Sequence, residues 1–290
     1  MTKKMKIRFL KTIIILIALI FSSCSSDGNS TENEENSPAE TKQFIKTVQK
    51  QSPESWQKGS QFFYNNDKLE YVYLDNCSGE LYYFEYNSDG KISSRYVGTI
   101  TLTSDSFNPD SFDLVSFKQN SSKLNYVYQD KKLVKMQLDN GFTINEFTYN
   151  NDGTLKVAEW FIQGVGFGSK ITFSYSQGKI SKLNKREYDS DGITLTDNFD
   201  YTFEFDDKPN PLYVLVENFS LLGLYTCTGF DYISSEDNGY KLFKNNVTKV
   251  YRDEIELFSA NYQYDTNNYP TRISYTNLNG NVSSVDLITY

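Results

Sequence analysis

Few side chains in this sequence could carry out acid–base or nucleophilic chemistry. The 290-residue chain has no histidine, which removes serine–histidine and cysteine–histidine catalysis and the zinc sites that are built on imidazole. Pairs of carboxylates are the remaining acid–base option, and Asp206/Asp207 and Asp253/Glu254 are such neighbours. Among 37 acidic residues, pairs of this kind arise by chance and are mostly solvated. We therefore predict no catalytic residue, no enzyme activity and no cofactor.

Two acidic motifs resemble the beginning of a calcium-binding loop. Residues 87–90 read Asn-Ser-Asp-Gly, and residues 189–192 read Asp-Ser-Asp-Gly. A complete loop needs oxygen ligands at alternate positions and a glutamate at position 12. Counted from Asp189, position 5 is Ile193 and position 12 is Asp200. We therefore predict hairpin turns at these motifs and no metal site.

A glycine-rich stretch and two tryptophans are further candidates for ligand binding. Gly164, Gly166 and Gly168 lack the following helix of a phosphate-binding loop, which favours a wide loop or bulge. Trp56 and Trp160 could stack on sugar rings. Isolated tryptophans in an aromatic-rich β protein more often lie in the core or at its rim, and the chain has two among 23 tyrosines and 21 phenylalanines.

Cys24 follows the pattern of a secretory signal. Five basic residues precede the apolar run Ile13–Phe21, and Ser22 and Ser23 separate that run from the cysteine. The run is far shorter than the roughly 20 residues that cross a bilayer, so it is typical of a signal peptide and not of a membrane span. We predict a signal peptide over residues 1–23 and a lipid on Cys24, which would join the chain to a membrane. Ordinary cleavage beside an incidental cysteine is the alternative.

The other two cysteines are Cys77 and Cys227. An oxidising envelope would permit a disulfide between them. An even count is weak support for pairing two residues so far apart in sequence. A Cys77–Cys227 disulfide and two buried free thiols both stay open.

Residues 24–43 predict a disordered acidic tether. Between residues 25 and 41 there is no large apolar side chain, and the five acidic residues repel one another, so burial cannot offset the entropic cost of ordering. Without the signal the chain has 24 basic and 37 acidic residues, a net charge of −13. Nucleic acid is an unsuitable partner, because phosphate binding needs a basic surface.

A repeated pattern runs through the remainder of the chain. A strand with alternating polar and apolar residues ends in a tyrosine, and a polar turn, a basic residue and an aliphatic residue follow. Asp-Gly and Asn-rich turns accept the positive φ of tight hairpins, so the repeat predicts antiparallel hairpins. The copies are Tyr86–Ile92, Tyr149–Leu155, Tyr188–Ile193, Tyr64–Leu69, Tyr128–Leu133, Tyr175–Ile180 and Tyr264–Ile273.

The flanking strands alternate between apolar and polar residues, with Phe199 to Phe205 as the clearest run. We predict one all-β domain over residues 44–290. It would be an antiparallel hairpin meander of about 12–16 strands that curls into a roll or barrel and so hides its edges. A single extended sheet of stacked hairpins is the alternative.

Three departures from the repeat carry their own predictions. The alternation changes phase near Leu257, which predicts a bulge or bend. The wide spacing between Tyr86 and Tyr128 predicts one extra hairpin with its turn near Asn108–Pro109. The pattern lapses between Leu215 and Lys249, where 221–224 read as a different element or an insertion.

The tyrosine-turn repeat resembles the tyrosine–aspartate (Rhs-type) repeat of secreted bacterial proteins. Together with the Ser-Ser-Cys signal end and the motifs at 205–213 and 269–273, it resembles the cell-envelope lipoproteins of Bacteroidota in domain families of unknown function with a porin-like β fold. The resemblance covers about residues 44–290. It implies a fold and an envelope location, and it implies no catalytic residue.

These observations give one leading function and two alternatives. The leading hypothesis is a non-enzymatic, lipid-anchored envelope protein that binds or displays an unknown ligand or envelope protein. The alternatives are a carrier of an apolar ligand in a barrel lumen and a carbohydrate-binding accessory lipoprotein. We expect attachment to the outer membrane through the lipid on Cys24, with the membrane face open.

Overall fold

The computed structural model describes residues 43–52, 55–75, 79–102, 107–164, 166–215 and 242–290. Cys24, Cys77 and Cys227 lie outside these ranges, as do the predicted signal peptide, the tether up to residue 42 and the 221–224 segment. The lipid attachment and the disulfide therefore remain predictions. The side chain of Trp56 is also outside the described set.

Residues Gln43–Tyr290 form one compact unit, whose sixteen described strands make a closed antiparallel barrel. Each strand pairs with its sequence neighbours, and the first pairs with the last from Thr47↔Thr289 to Gln51↔Val285. The predicted barrel of 12–16 strands is confirmed, and the chain does not form the single extended sheet. The strands are β1 Thr47–Ser52, β2 Ser55–Asn65, β3 Lys68–Leu74, β4 Glu80–Tyr86, β5 Ile92–Thr99, β6 Ser122–Gln129, β7 Lys132–Leu138, β8 Thr143–Tyr149, β9 Leu155–Ile162, β10 Gly166–Ser176, β11 Lys179–Tyr188, β12 Leu195–Pro209, β13 Asn245–Arg252, β14 Ile255–Tyr264, β15 Pro270–Asn277 and β16 Val282–Thr289.

The hairpin turns adopt the conformations that the repeat predicts. Asn66 and Asp67 both have positive φ, 48° and 60°, as a two-residue type I′ turn requires. In the Asn-Ser-Asp-Gly copy, Gly90 has a φ of 74°. There the Asn87 side-chain oxygen accepts a hydrogen bond from the backbone N–H of Asp89 at 3.0 Å. The motif at residues 87–90 is therefore a hairpin turn that the Asn87 side chain caps, and the turn predicted there is confirmed.

Alternation along the strands places the aromatic and aliphatic side chains inside the barrel. Phe199, Tyr201, Phe203 and Phe205 of β12 all belong to or pack against one hydrophobic cluster, which takes side chains from all sixteen strands. Fully burying one such side chain contributes about 1.5–3 kcal/mol. Side chains from every side of the barrel therefore meet in its interior and hold the wall together.

Three charged side chains are buried with this cluster, and each has a partner. The Arg95 guanidinium lies 5.1 Å from the centre of the Tyr82 ring. Lys185 forms an ion pair of 2.6 Å with Glu187, and Asp286 accepts a hydrogen bond of 3.1 Å from the Tyr275 hydroxyl. These partners matter because an uncompensated buried charge would cost several kcal/mol.

A second hydrophobic cluster involves β3, β4 and β5. On these strands its members alternate with those of the interior cluster, so they point to the outside of the wall. Its buried members are Tyr71, Tyr73, Leu81, Tyr96, Phe107 and Phe117.

The connection from β5 to β6 supplies two of these buried residues. It contains a 3₁₀ turn at Pro109–Ser111 and a helix α1 at Leu114–Asn120, whose first turn is capped by the Asp113 side chain. Phe107 contacts the Tyr71 ring at 5.4 Å between centroids. The extra hairpin predicted near residues 108–109 is therefore wrong. The additional chain forms a short helical cover, because its aromatic residues bury the outward tyrosines of the wall.

The predicted bulge near Leu257 is confirmed by the pairing of β13 with β14. Val250 pairs with Phe258, and the next residue, Tyr251, pairs with Glu256. Leu257 is the extra residue between these two pairs. A one-residue insertion of this kind moves the following side chains to the other face of the strand, which accounts for the change of phase.

The outer face of the described wall carries few large apolar side chains. The exposed large hydrophobic residues of the described ranges are mostly beside turns: Val115, Trp160, Ile193, Leu195, Ile255, Leu278 and Val282. Separately, the described residues include no helix with both the length and the hydropathy of a membrane span.

Candidate functional site

Tyrosines gather at one end of the barrel. Neighbouring strands run in opposite directions, so the turns after β2, β4, β6, β8, β10 and β14 share one end, where β16 also finishes. We call this the tyrosine end. The residues that mark it are Tyr64, Tyr86, Tyr128, Tyr149, Tyr175, Tyr264 and Tyr290.

A recurring hydrogen bond, which we call the tyrosine clasp, links neighbouring hairpins at this end. In each clasp a tyrosine hydroxyl donates a hydrogen bond to a backbone carbonyl of the preceding hairpin. The accepting residue lies near the start of that hairpin's second strand. In four of the described clasps the tyrosine and the aliphatic residue of the repeat meet across hairpins, whereas Tyr262–Val247 and Tyr290–Pro270 make the same contact with other residues. The described clasps are Tyr86–Leu69 at 2.6 Å, Tyr128–Ile92 at 2.9 Å, Tyr149–Leu133 at 2.7 Å, Tyr175–Leu155 at 2.7 Å, Tyr262–Val247 at 2.6 Å and Tyr290–Pro270 at 2.9 Å.

The basic residue of the repeat contributes to the same contact. In three clasps the lysine that precedes the accepting residue places its Nζ 5.2 Å from the centre of the tyrosine ring. A cation at this distance is attracted by the ring and contributes about 0.5–1 kcal/mol at an exposed site. The pairs are Lys68–Tyr86, Lys91–Tyr128 and Lys132–Tyr149.

Burial keeps the clasp hydroxyls protonated. It raises the pKa of Tyr149 to about 12, with a smaller contribution from nearby Tyr175. It likewise raises the pKa of Tyr175 to about 12, assisted by the charge of Asp152. Burial also raises the pKa values of Tyr86 and Tyr290. These hydroxyls are hydrogen-bond donors at neutral pH and are unsuited to act as bases.

The clasp series is interrupted at Phe205, near the end of β12. The preceding hairpin supplies Lys179 and Ile180, which correspond to the lysine and the aliphatic residue of the other copies. Phe205 has no hydroxyl to donate to Ile180. Lys179 instead donates to the Asn245 side-chain oxygen at 3.3 Å. The hydrogen bond that links neighbouring hairpins in the described clasps is therefore missing at this position.

A pocket opens at the interruption, and we call it the mouth pocket. Its volume is about 490 Å³, within the roughly 300–1,000 Å³ of small-molecule sites. Its apolar walls include Leu133, Leu155, Ile180, Phe205 and Phe243. Leu133 and Phe243 are only 2% and 3% exposed, so this floor is part of the barrel core.

Four lysines line the same pocket: Lys131, Lys132, Lys179 and Lys244. Within the described residues none of them forms an ion pair with a carboxylate. Lys132 faces the Tyr149 ring, and Lys244 lies 5.8 Å from the centre of the Tyr213 ring. The pocket thus combines an apolar floor with a positively charged rim.

Asp152 is the one carboxylate among the lining residues that the structure describes. It accepts hydrogen bonds from the Thr154 backbone N–H at 2.9 Å and from the Thr154 hydroxyl at 2.7 Å. Chiefly through the hydroxyl contact, Thr154 lowers the pKa of Asp152. The carboxylate is therefore occupied within its own turn, and the four lysines outnumber it.

The two carboxylate pairs weighed in the sequence have structural roles. Asp206 accepts hydrogen bonds from the Tyr264 hydroxyl and the Asn246 side chain. Asp253 and Glu254 form a two-residue turn with φ of 49° and 70°. Among the described residues no group of three or more histidine, cysteine, aspartate or glutamate side chains could hold a metal ion.

Trp160 lies towards the opposite end of the barrel and is 46% exposed. Its ring covers Gly168, where an added Cβ would come within 2.8 Å of the indole. The register shift between Phe167 and Ser169 confirms the predicted bulge. Trp160 is thus a rim residue, as expected, and it does not contribute to the mouth pocket.

Sequence reasoning missed the mouth pocket. Tyr213 lies just before the stretch where the repeat lapses, Phe243 and Lys244 lie within it, and no periodicity marks the three residues. One signal was available: Phe205 stands where the other copies carry a tyrosine. That substitution identifies the position at which the clasp cannot form.

Comparisons with known proteins establish no family for the chain. No family model matches it, and no curated protein matches it. Among solved structures it is similar to a porin-like protein from Bacteroides vulgatus, at 11% identity over 85% of this chain and 98% of that chain with a TM-score of 0.49. A porin-like protein from Bacteroides uniformis has 12% identity over 84% and 97% of the two chains, with a TM-score of 0.37.

A third similar structure is the Tc holotoxin pore of Photorhabdus luminescens. It shares 10% identity over 82% of this chain with a TM-score of 0.26, and this chain spans only 13% of its length. At these values none of the three likenesses assigns a function. The barrel is established by its strand pairing, and the Rhs-type repeat and the lipid anchor stay predictions.

Proposed function

We propose that the chain is a non-enzymatic binding protein of the bacterial cell envelope, anchored by a lipid on Cys24, whose ligand occupies the mouth pocket. The observation that carries the proposal is an open pocket of about 490 Å³ with a buried apolar floor and a lysine rim. A few charged groups around an apolar cavity are typical of small-molecule sites.

Two features favour binding over catalysis. The carboxylate pairs are engaged in turns and hydrogen bonds, and the clasp tyrosines have raised pKa values. We change one of the two alternative hypotheses, the carrier of an apolar ligand in a barrel lumen. Interior side chains from all sixteen strands meet in the barrel, so we place the ligand at the mouth and not in a lumen.

Mass spectrometry of small molecules that co-purify with the protein from its native envelope tests this proposal. We expect a stoichiometric ligand with the wild-type chain. Leu242→Trp adds bulk to a half-buried wall of the pocket and should abolish co-purification. Val115→Trp makes the same kind of change on the exposed surface of α1 and should leave it intact. Equal amounts of ligand with both variants, or none with wild type, would refute the proposal.

A further inference from the structure

We infer that the ligand is a single-chain anionic amphiphile, with an alkyl chain on the apolar floor of the mouth pocket and a carboxylate or phosphate head at its lysine rim. The inference rests on the proposed function, because it names the chemical class that the same pocket accepts. Charge and apolarity are the two properties from which it follows.

Charge complementarity is the first argument. The chain without its signal carries a net charge of −13, yet the described part of the pocket lining has four lysines and one aspartate. Several lysines of the described wall are paired with carboxylates, as in Lys135–Glu146 at 2.8 Å and Lys170–Glu159 at 2.9 Å. The rim therefore concentrates positive charge on an acidic protein, which favours an anion and disfavours a cation.

The available bonding capacity of the rim is the second argument. Lys132 and Lys244 face tyrosine rings, and Lys179 donates to the neutral Asn245 side chain. An ammonium group has three N–H donors, so a neutral contact leaves donors for an anionic oxygen. Hydrogen bonds between an ammonium and an ionised oxygen are roughly twice as strong as neutral ones.

The floor supplies the apolar half of the recognition. Leu133, Leu155, Ile180 and Phe243 are all less than 10% exposed, and Phe205 lies beside them. A small inorganic anion would leave this floor in contact with water, whereas an alkyl chain would cover it and gain the free energy of burying apolar surface. Floor and rim together select a molecule with one apolar and one anionic end.

Isothermal titration calorimetry of four decyl compounds tests the inference. The protein is the full chain with Cys24→Ser, and the probes are decanoate, decyl phosphate, decanol and decyltrimethylammonium, each below its micelle concentration. We expect one-to-one binding of both anions at least about tenfold tighter than that of decanol or the cation. The comparison of decanoate with decyl phosphate separates a fatty-acid source from a phosphorylated one.

Matched lysine variants locate the charge. Lys131→Gln, Lys179→Gln and Lys244→Gln combined should weaken decanoate binding about tenfold, since three exposed charge contacts are lost together. The same change in charge at Lys123, Lys156 and Lys182 should leave the affinity unaltered. If the rim variant is unfolded by circular dichroism, a salt series on the wild-type site replaces it, with added NaCl weakening the anions and not decanol.

Different results would refute the anionic class of the ligand and the pocket as the binding site. Equal affinity for anions, decanol and the cation would overturn the anionic class and leave the pocket as an apolar site. Binding that is undiminished by Leu242→Trp, or no binding of any probe, would overturn the pocket itself and with it the proposed function.

Discussion

The tyrosine end contains two sectors built from the same repeat. In the sector from β4 to β9, Tyr86, Tyr128 and Tyr149 each donate to a carbonyl of the preceding hairpin. In the sector from β11 to β13, Phe205 occupies the corresponding position, and a pocket of about 490 Å³ lies beside it. The two sectors differ by one hydroxyl, and the pocket beside Phe205 extends to the neighbouring clasps of Tyr149 and Tyr175.

The repeat lysine follows the same division. Lys91 and Lys132 lie over tyrosine rings in the clasped sector, whereas Lys179 has no tyrosine of its own and reaches Asn245. Lys132 therefore both supports a clasp and lines the mouth pocket, whereas Lys179 lines the pocket and contacts Asn245.

Removing a clasp tyrosine entirely should have the largest effect. Tyr128→Ala removes a ring that packs against the core and the hydrogen bond to Ile92, and it should destabilise the fold by about 3 kcal/mol. Urea denaturation measures this change. Ile193→Ala alters a side chain that is 82% exposed and serves as the control, with a change within about 0.5 kcal/mol. Similar midpoints for both variants would show that the clasps carry little stability.

The clasps should also make the fold sensitive to alkaline pH. The pKa values of Tyr149 and Tyr175 are raised to about 12, above the value near 10 of an unfolded tyrosine. Their contribution is therefore complete below pH 10 and is lost as the pH rises from 10 to 12. The double variant Tyr149→Phe/Tyr175→Phe should flatten this decline in a denaturation series from pH 8 to 12. An unchanged slope would contradict the assignment.

Removing only a clasp hydroxyl should have a smaller effect. Tyr128→Phe keeps the ring and loses the hydrogen bond to the Ile92 carbonyl, so we expect a loss of about 1 kcal/mol in unfolding free energy. Tyr188→Phe removes a hydroxyl away from the clasps and should change stability by less. If the two variants lose equal stability, the hydrogen bond is not specific to the repeat.

Restoring the missing hydroxyl should act in the opposite direction. Phe205→Tyr places a donor in the register of the other clasps, next to Ile180, and should stabilise the fold by up to about 1 kcal/mol. It should also weaken decanoate binding, because the hydroxyl would enter the pocket lining. Thermal denaturation and calorimetry measure the two effects. A destabilised variant with unchanged binding would show that the interruption does not create the pocket.

The smallest effect concerns the lysines. Lys132→Met should cost about 0.5 kcal/mol in stability by removing the contact with the Tyr149 ring, since such contacts contribute about 0.5–1 kcal/mol at exposed sites. Lys179→Met should leave stability unchanged, because its partner is a neutral side chain at 3.3 Å. Chemical denaturation of the two variants side by side measures the difference, and equal losses would remove the contrast between the sectors.

Much of the fold could be predicted from local patterns, and the exceptions have physical reasons. Period-two alternation and positive-φ turns identify hairpins, and the change of phase at Leu257 locates a bulge. The sequence pattern did not predict helix α1, because seven residues are too few to show a helical period. Its Phe117 lies beside Gly98 of β5 and belongs to the cluster of the outward tyrosines of β3, and such contacts join residues distant in sequence.

The candidate site was less accessible to prediction than the fold. Lys131, Lys132 and Lys179 belong to repeat turns and looked like the basic residues of ordinary hairpins. Tyr213, Phe243 and Lys244 join them from chain that follows no repeat. Only the closure of the barrel places these groups around one opening.

The central claim is that an anionic amphiphile binds where the clasp series is interrupted. A crystal structure of the full Cys24→Ser chain grown with decyl phosphate tests this most directly. We expect the phosphate to lie within hydrogen-bonding distance of Lys131, Lys179 or Lys244. The alkyl chain should lie against Phe205 and Ile180. A pocket closed by Phe205 and Ile180, with the ligand absent or bound elsewhere on the barrel, would contradict it.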